Sequence, residues 1–385
     1  MSSTPNSKIS IILPCHNEEE AILPCLKEIE GVIVSNDLNA EIVVVDNAST
    51  DRSPSLLMES LTKFPDLRVV KESRLGYGFA CLKGIESAEG EYVVIADCDG
   101  TYDFKLIIQF ISKLLEGNDL VVGNRFNGEI MEGAMPWLHR HIGNPLLSLL
   151  VKIFFGVKIG DIHSGMRAFK KSVIESINLN TGGMEFASEM VVKAAKRNLY
   201  ISEIPISYRK RLGKSKLRSF SDGWRHLRFI LLYSPLVLFF IPGALLLFLG
   251  TISLLILYFG SPSLFGIQFY VHPIFLSSVA VIAGYQLVLF AAFARTYAIT
   301  HLGDHDGFFE PLYRLITIER AGLVGILLSF FGGSIYAYIF IKWINSGFGS
   351  LDEIKNGVVA LTLVVVGIQT FFSAFMLSIL GIKEK

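Results

Sequence analysis

The sequence predicts an α/β domain built on a mostly parallel sheet, followed by a membrane domain of four helices. Three observations carry this. Short β-branched runs alternate with helical stretches between residues 9 and 208, the pattern of strands covered by helices on both faces. Beyond residue 225, and nowhere before it, four apolar stretches reach the roughly 18–20 residues that crossing a bilayer requires. Polar residues gather where the apolar runs of the first half stop, above all Asp97 and Asp99 in VVIADCDGTYD, directly after the run 92–95.

Strands are expected at residues 9–13, 41–45, 67–70, 92–96, 120–122 and 201–206, and helices at 18–33, 54–63, 78–88 and 105–115. About 220 residues is an ordinary size for one domain with its own core. MSSTPNSK lacks a basic start and ISIILP is too short for a signal-peptide core, so the amino end reads as the first strand. The chain has 385 residues with 35 basic and 35 acidic side chains, and no nucleic-acid partner is expected. Its 51% hydrophobic content and mean hydropathy of +0.49 come mainly from the second half. Cys15, Cys25, Cys81 and Cys98 stand at unrelated spacings, which points to buried thiols and not to a metal site or disulfide framework.

In a parallel sheet the loops at the carboxyl ends of the strands lie side by side. Pro14, Cys15, His16, Asn17, Glu18 and Glu19 follow the first strand, Asp46 to Asp51 the second, and Asp97 and Asp99 the fourth, so they converge on one crevice. Two hard carboxylates there suit Mg²⁺ or Mn²⁺ carrying a diphosphate, whereas alone they would read equally well as a solvated turn capping the next helix. Ser73 to Gly78 contain a GxG without the third glycine of a dinucleotide fingerprint, so a phosphate-approaching loop and a plain turn both remain open.

The candidate spans are 236–258, 272–293, 321–344 and 358–382. Lys210, Arg211, Lys214, Lys216, Arg218, Arg225 and Arg228 precede the first, while the connection 260–271 carries no Lys or Arg, which places the first half in the cytoplasm. Leu217, Phe220, Trp224, Leu227 and Leu231 follow steps of three and four, so residues 216–234 are expected to form an amphipathic juxtamembrane helix, lying on the membrane or packed on the first domain. The domains expected are therefore 1–215, 216–234 and 235–385. His301, Asp304, His305 and Asp306 read as a solvated loop, not a metal site.

The order PCHNEEE, VVDNASTD, SRLGYGFA and ADCDGTYD, then GNRF, DIHSGMRAF and a terminal membrane region, resembles the inverting GT-A fold glycosyltransferases of family 2. Within them it looks most like the dolichyl-phosphate mannose and glucose synthases and their undecaprenyl-phosphate counterparts, closely over residues 8–215 and only in kind over the membrane helices. The resemblance implies a Rossmann-like GT-A domain in which Pro14, Asn17, Glu18 and Asp46 hold the base and ribose of a nucleotide-sugar. It implies that Asp97 and Asp99 bind the metal and diphosphate, and that Asp51, Arg74, Gly76 and Lys83 line the donor site. Cys98, within the same donor-binding stretch, replaces a commoner small apolar residue.

A lipid phosphate acceptor is already anionic near neutral pH, since the second pKa of a phosphate ester is about 6. The site then needs cations more than a strong base. Arg125 in GNRF and Arg167 in SGMRAF meet that need, with Ser164 adding a hydrogen bond. Asp161 would orient the arginines or the sugar, or form an ordinary structural pair; Asp99, Asp161, Arg125 and Arg167 are thus the candidate catalytic set. Glu185 and Glu189 share a helical face and either contact sugar hydroxyls or form a charged surface, and His163 is expected to be structural.

The expected function is metal-dependent transfer of one hexose, with inversion, from a UDP- or GDP-sugar to dolichyl or undecaprenyl phosphate. The enzyme would be integral to the cell membrane or an endoplasmic-reticulum-type membrane. UDP-glucose is favoured because the four-helix tail looks more like the bacterial glucosyl-type members. A processive polysaccharide synthase is the alternative, although no Gln precedes an Arg-Trp pair as its QxxRW motif would require. A lipid-linked sugar flippase or sensor with a non-catalytic GT-A domain is the third reading. The sequence is compatible with a homo-oligomer.

Overall fold

The computed structural model describes residues 8–213, 219–260, 262–264, 267–269, 271–301 and 317–381. It forms two compact units, Met1–Tyr233 and Ser234–Lys385. Lys214, Lys216, Leu217, Arg218, Asp304, His305 and Asp306, and the side chains of Phe220 and His301, lie outside the described residues.

The first unit is a seven-stranded sheet of β1 (Ile9–Cys15), β2 (Ala40–Asn47), β3 (Leu67–Glu72), β4 (Tyr92–Ile95), β5 (Leu120–Asn124), β6 (Arg167–Lys170) and β7 (Ile201–Pro205), in the order β3-β2-β1-β4-β6-β5-β7. The central strands are apolar over most of their length because both faces are covered, with Ser10 and Glu41 bonded to each other near the strand starts. Ile11, Leu13, Val44 and Val94 enter one core, and Ile12, Val43, Val45, Val93 and Ile95 enter the other. Helices α1 (Ile22–Ser35), α2 (Ser53–Ser60), α3 (Tyr77–Ser87) and α4 (Ile107–Leu115) lie where the sequence places them, and α5 (Asn144–Phe155), α6 (Lys171–Ser176) and α7 (Phe186–Lys196) complete the layers. Gly84 lets α3 approach the sheet closely, for a Cβ there would overlap Ile12.

Strand β6 is not among those expected, because MRAF is short and carries a charge. It runs antiparallel between β4 and β5. The consequence is topological: β6 begins at the edge where β1, β2, β4, β5 and β7 end. Its preceding loop, 161–166, is therefore delivered to the crevice beside Asp97. The order of strands reverses between β1 and β4, and ligands of open α/β sheets bind at such a switch point.

Helix α8 (Ser219–Leu232) belongs to this unit. His226, Phe229 and Ile230 are buried, and the last two join the core under α5 and α7. The expected apolar stripe divides, with Leu227 and Leu231 half-buried and Trp224 exposed. His226 Nδ1 lies 2.8 Å from Ser188 Oγ, and its ring stands edge-on to that of His163 at 4.4 Å between centroids.

In the second unit α9 (Ile241–Phe259), α10 (His272–His301), α11 (Ile318–Asn345) and α12 (Ile354–Leu380) supply the four apolar spans, Leu236–Phe259, His272–Thr300, Ile318–Asn345 and Ile354–Leu380. Small residues set the contacts, as expected where lipid offers no hydrophobic drive between helices. Gly243, Gly250 and Gly284 bring α9 against α10, and Gly325, Gly332 and Gly367 bring α11 against α12. Helices α10 and α12 are joined by Ser278–Thr362 and Tyr285–Thr370 at 2.7 Å, and by Gln369 donating to Gln286 at 2.8 Å.

Burial lowers His226 to about 4 and His163 well below its ordinary range, with neighbouring cations adding to the effect. Both rings are then neutral in the fold but protonate near pH 6.5 when unfolded, so the unfolded chain binds more protons between those values and stability falls as pH drops through that window. Urea unfolding followed by tryptophan fluorescence is expected to show the first unit less stable at pH 5 than at pH 7, by about 1 kcal/mol or more from this pair. The His226→Gln variant should show a shallower pH slope; an identical slope would contradict this packing.

Candidate active site

The cradle is set first by backbone geometry at the end of β1. Asn17 sits at φ 55°, and its Oδ1 accepts from Thr50 N at 2.7 Å and Asp51 N at 3.3 Å. Asp51 accepts from Glu19 N at 3.1 Å and Ser53 N at 2.9 Å, tying the β1 loop to the start of α2. At the end of β2, Asp46 accepts from Ser49 N, while Asn47 donates to Arg74 O at 2.7 Å and accepts from Gly76 N at 2.8 Å. Asn17, Glu18, Asp46, Asp51 and Gly76 are thus brought together around one crevice, with Pro14 paired beside Val45 in the sheet.

Asp97 is enclosed. Burial, with the charge of Asp99 beside it, pushes its carboxyl up to about 6, and the facing Tyr77 hydroxyl holds the value down. Its Oδ1 is buried without a hydrogen-bond partner among the described residues. Asp99 is 4% exposed; Oδ1 takes Thr101 N at 3.1 Å and Thr101 Oγ1 at 2.6 Å, and Oδ2 takes Arg211 Nη1 at 2.9 Å. Arg211 also bonds the Glu18 carboxylate. Cys98 turns the other way, its Sγ donating to Pro14 O.

A buried carboxylate oxygen with no partner is costly unless something binds it. Asp97 fits a hard divalent cation such as Mg²⁺ or Mn²⁺ by that test, and Asp99 beside it adds a second carboxylate whose Oδ2 is held by Arg211. Among the described residues no cluster of three or more His, Cys, Asp or Glu is poised for a metal, so remaining ligands would come from a diphosphate and water.

The loop before β6 closes the other side. Gly165 N donates to Tyr102 Oη at 2.8 Å, and a Cβ at Gly165 would overlap the Asp97 carboxylate. Ser164 Oγ and both ring nitrogens of His163 are buried without partners among the described residues. Arg125, at the end of β5, donates from Nε at 2.6 Å and Nη2 at 2.9 Å to Asp161, with its guanidinium carbon 5.2 Å from the Tyr208 ring centre. Burial alone would lower the Arg125 pKa, but the Asp161 charge and hydrogen bonds raise it further, so Arg125 is a permanent cation. Asp161 is fully buried, and the pair is held as a fixed fork.

Three residues placed in the site by sequence are engaged elsewhere. Arg167 is fully buried on β6 and donates to the carbonyls of Ala187, Ile162 and Ser164, so it ties this loop to α7 instead of presenting a cation to the crevice. Glu189, also buried, accepts from Asn180 N, Thr181 N and Thr181 Oγ1 and pairs with Lys193 at 2.7 Å; it holds the 180–182 backbone rather than a sugar. Lys83 pairs with Glu86 at the exposed surface of α3.

Arg74 is gripped by Glu72 and lies 4.5 Å over Phe79, whose ring packs on Gly182; the held loop thereby meets Gly76 and Gly78. Glu185 Oε2 is buried and unpartnered beside Gly183, in position for a donor group. The residue that sequence reading missed is Arg211, visible there only as one of several basic residues before the first span. Its partners are 112 and 193 positions away, a distance no local signal crosses.

Residues 10–177 match the model of glycosyl transferase family 2, and residues 292–381 match the C-terminal transmembrane region of family 2 glycosyltransferases. The chain is 36% identical over 374 residues, 97% of its length and 89% of the relative's, to the low-salt glycan biosynthesis hexosyltransferase Agl6 of Haloferax volcanii. It is 32% identical to a dolichyl-phosphate hexose transferase of the same organism, over 56% of this chain and 89% of that protein. Among solved structures it is similar to glucosyl-3-phosphoglycerate synthase from Mycobacterium tuberculosis, at 21% identity and a TM-score of 0.48 over 60% of this chain and 80% of that one. With nearly its whole length aligned to one relative and each half matched by its own model, this integral membrane protein belongs to glycosyltransferase family 2.

Proposed function

We propose that the protein transfers one hexose from a nucleotide-sugar, UDP-glucose in preference to a GDP-sugar, to dolichyl or undecaprenyl phosphate, with inversion at the anomeric carbon. The observation that carries this is the meeting at one sheet edge of Asp97, whose Oδ1 is buried without a partner among the described residues, its neighbour Asp99, and a buried arginine fork, with Gly165 lying against the Asp97 carboxylate. The names of the two Haloferax volcanii relatives, a hexosyltransferase and a dolichyl-phosphate hexose transferase, support the substrate class.

Asn17, Glu18 and Asp46 line the end where the base and ribose would lie. Asp97 and Asp99 face the diphosphate. They would hold a divalent cation, which would supply positive charge to offset the charge developing on the leaving group. The acceptor phosphate is placed by Arg125, fixed by Asp161, with Ser164 Oγ as a further donor. The phosphate oxygen attacks the anomeric carbon opposite the leaving diphosphate; the new C–O bond forms as the old one breaks, and configuration inverts. Being anionic already, the nucleophile needs no proton removed. Glu185, beside Gly183, would accept from a sugar hydroxyl.

Purified full-length protein is expected to release nucleotide only when donor, Mg²⁺ or Mn²⁺ and polyprenyl phosphate are all present, and Asp99→Ala should lower turnover by about 10²-fold or more. Unchanged turnover in that variant would contradict the assignment. Arg125→Lys keeps the charge but loses the fork. It should raise KM for the lipid phosphate about tenfold or more while leaving nucleotide binding unchanged. Arg167→Met should instead cost folding, lowering the melting temperature by several degrees, because three buried carbonyls lose their donor. Equal melting temperatures with a selective acceptor defect would return Arg167 to the acceptor site.

A further inference from the structure

The segment 208–213 that leaves β7 crosses directly over the carboxylate pair. It is stitched there by main-chain bonds, Arg209 N to Thr101 O at 2.8 Å and Leu212 N to Asp99 O at 2.9 Å, with the Leu212 side chain against Gly100. Arg209 is anchored outside the crevice by Glu28 and Asp103. Arg211 points the other way, with Nη1 on Asp99 and Nη2 on Glu18, so one guanidinium joins the aspartate expected to hold the metal to the glutamate expected to face the nucleoside.

We infer that Arg211 is a built-in counter-cation of the donor site, exchanged for the divalent cation when the nucleotide-sugar binds. This rests on the reading of the donor site given above. Asp99 Oδ1 is committed to two bonds from Thr101, so Oδ2 is the oxygen a metal ion would take, and Oδ2 is where Arg211 donates. A guanidinium and a divalent ion cannot share that oxygen, since like charges about 4 Å apart repel by several kcal/mol at the effective dielectric of a protein edge. A metal ion arriving alone must therefore displace Arg211 from Asp99 and leave the guanidinium beside the new cation with Glu18 as its remaining partner.

A metal ion arriving with a nucleotide diphosphate brings the anion that Arg211 then needs. Guanidinium transfers from carboxylates to phosphate oxygens, which it grips at least as well. The exchange makes metal and donor binding mutually dependent, and it provides a cation beside the diphosphate only after the donor is in place. The main-chain bonds of the segment need not break, because only the side chain moves.

The test is a Mn²⁺ titration of the full-length protein in detergent, with free Mn²⁺ read by electron paramagnetic resonance, so that no turnover is involved. Without nucleotide, Arg211→Met is expected to bind Mn²⁺ at least about tenfold more tightly than the unaltered protein, and Arg211→Lys to stay close to it. UDP should strengthen Mn²⁺ binding much more in the unaltered protein than in Arg211→Met. The gain should vanish in the double variant Asp99→Ala, Arg211→Met. Equal Mn²⁺ affinity with and without Arg211, while Asp99→Ala still abolishes binding, would overturn the exchange and leave the donor site standing. Mn²⁺ binding that ignores Asp99 in every variant would overturn both.

Discussion

Negative charge at the switch point between β1 and β4 is the constraint from which the rest of the site follows. Glu18, Asp97 and Asp99 stand where the strands end, and two of them are more than nine-tenths buried by residue exposure. Buried carboxylates are tolerated only when paired, hydrogen-bonded or bound to metal. The fold answers each differently. Asp99 and Glu18 share Arg211, and the fully buried Asp161 nearby has the Arg125 fork. Of these four carboxylates only Asp97 keeps a buried oxygen with no partner among the described residues, and burial with the charge of Asp99 pushes its carboxyl up to about 6. An edge arranged in this way is poised to take up a cation, and to do so together with an anionic ligand.

The antiparallel strand β6 gives that edge its second side. Had it run parallel to its neighbours, the loop 161–166 would emerge at the far end of the sheet. Because it is inverted, Asp161, Ser164 and Gly165 reach the crevice, and Arg167 anchors the turn from below through three carbonyls. Asp97 and the Arg125–Asp161 fork thereby face one crevice, with Gly165 against the Asp97 carboxylate. On α7, Glu189 performs a comparable task for the loop 180–182, which rests on Phe79, Gly76 and Gly78.

Strands whose residues are apolar on both faces were legible in the sequence, as were the loops at their carboxyl ends and the four spans, because each leaves a local signature in period, composition or length. The pairs that do not were misread for a shared reason. Arg167 and Glu189 are chemically suited to phosphate and sugar, but burial assigns them to backbone groups. Residue type carries no burial, and in MRAF a single arginine hides a four-residue strand. Arg211 lay unnoticed among seven basic residues before the membrane, since its meaning depends on two carboxylates far away in the chain. Asp97 and Asp99 were singled out because a strand end marks them, and Arg125 and Asp161 because their motifs suit an anionic acceptor; the structure adds that Asp97 Oδ1 is buried without a partner among the described residues and that Arg125 and Asp161 form a fixed fork.

The central claim is that one edge of this sheet joins a nucleotide-sugar to a lipid phosphate by a single displacement. Nuclear magnetic resonance of the lipid product formed from UDP-glucose, Mn²⁺ and dolichyl phosphate tests it most directly. The account predicts one hexose per lipid, linked to phosphate through its anomeric carbon in the β configuration, from an α-linked donor. A polymer, an α-linked product, or free glucose with the lipid unmodified would contradict it.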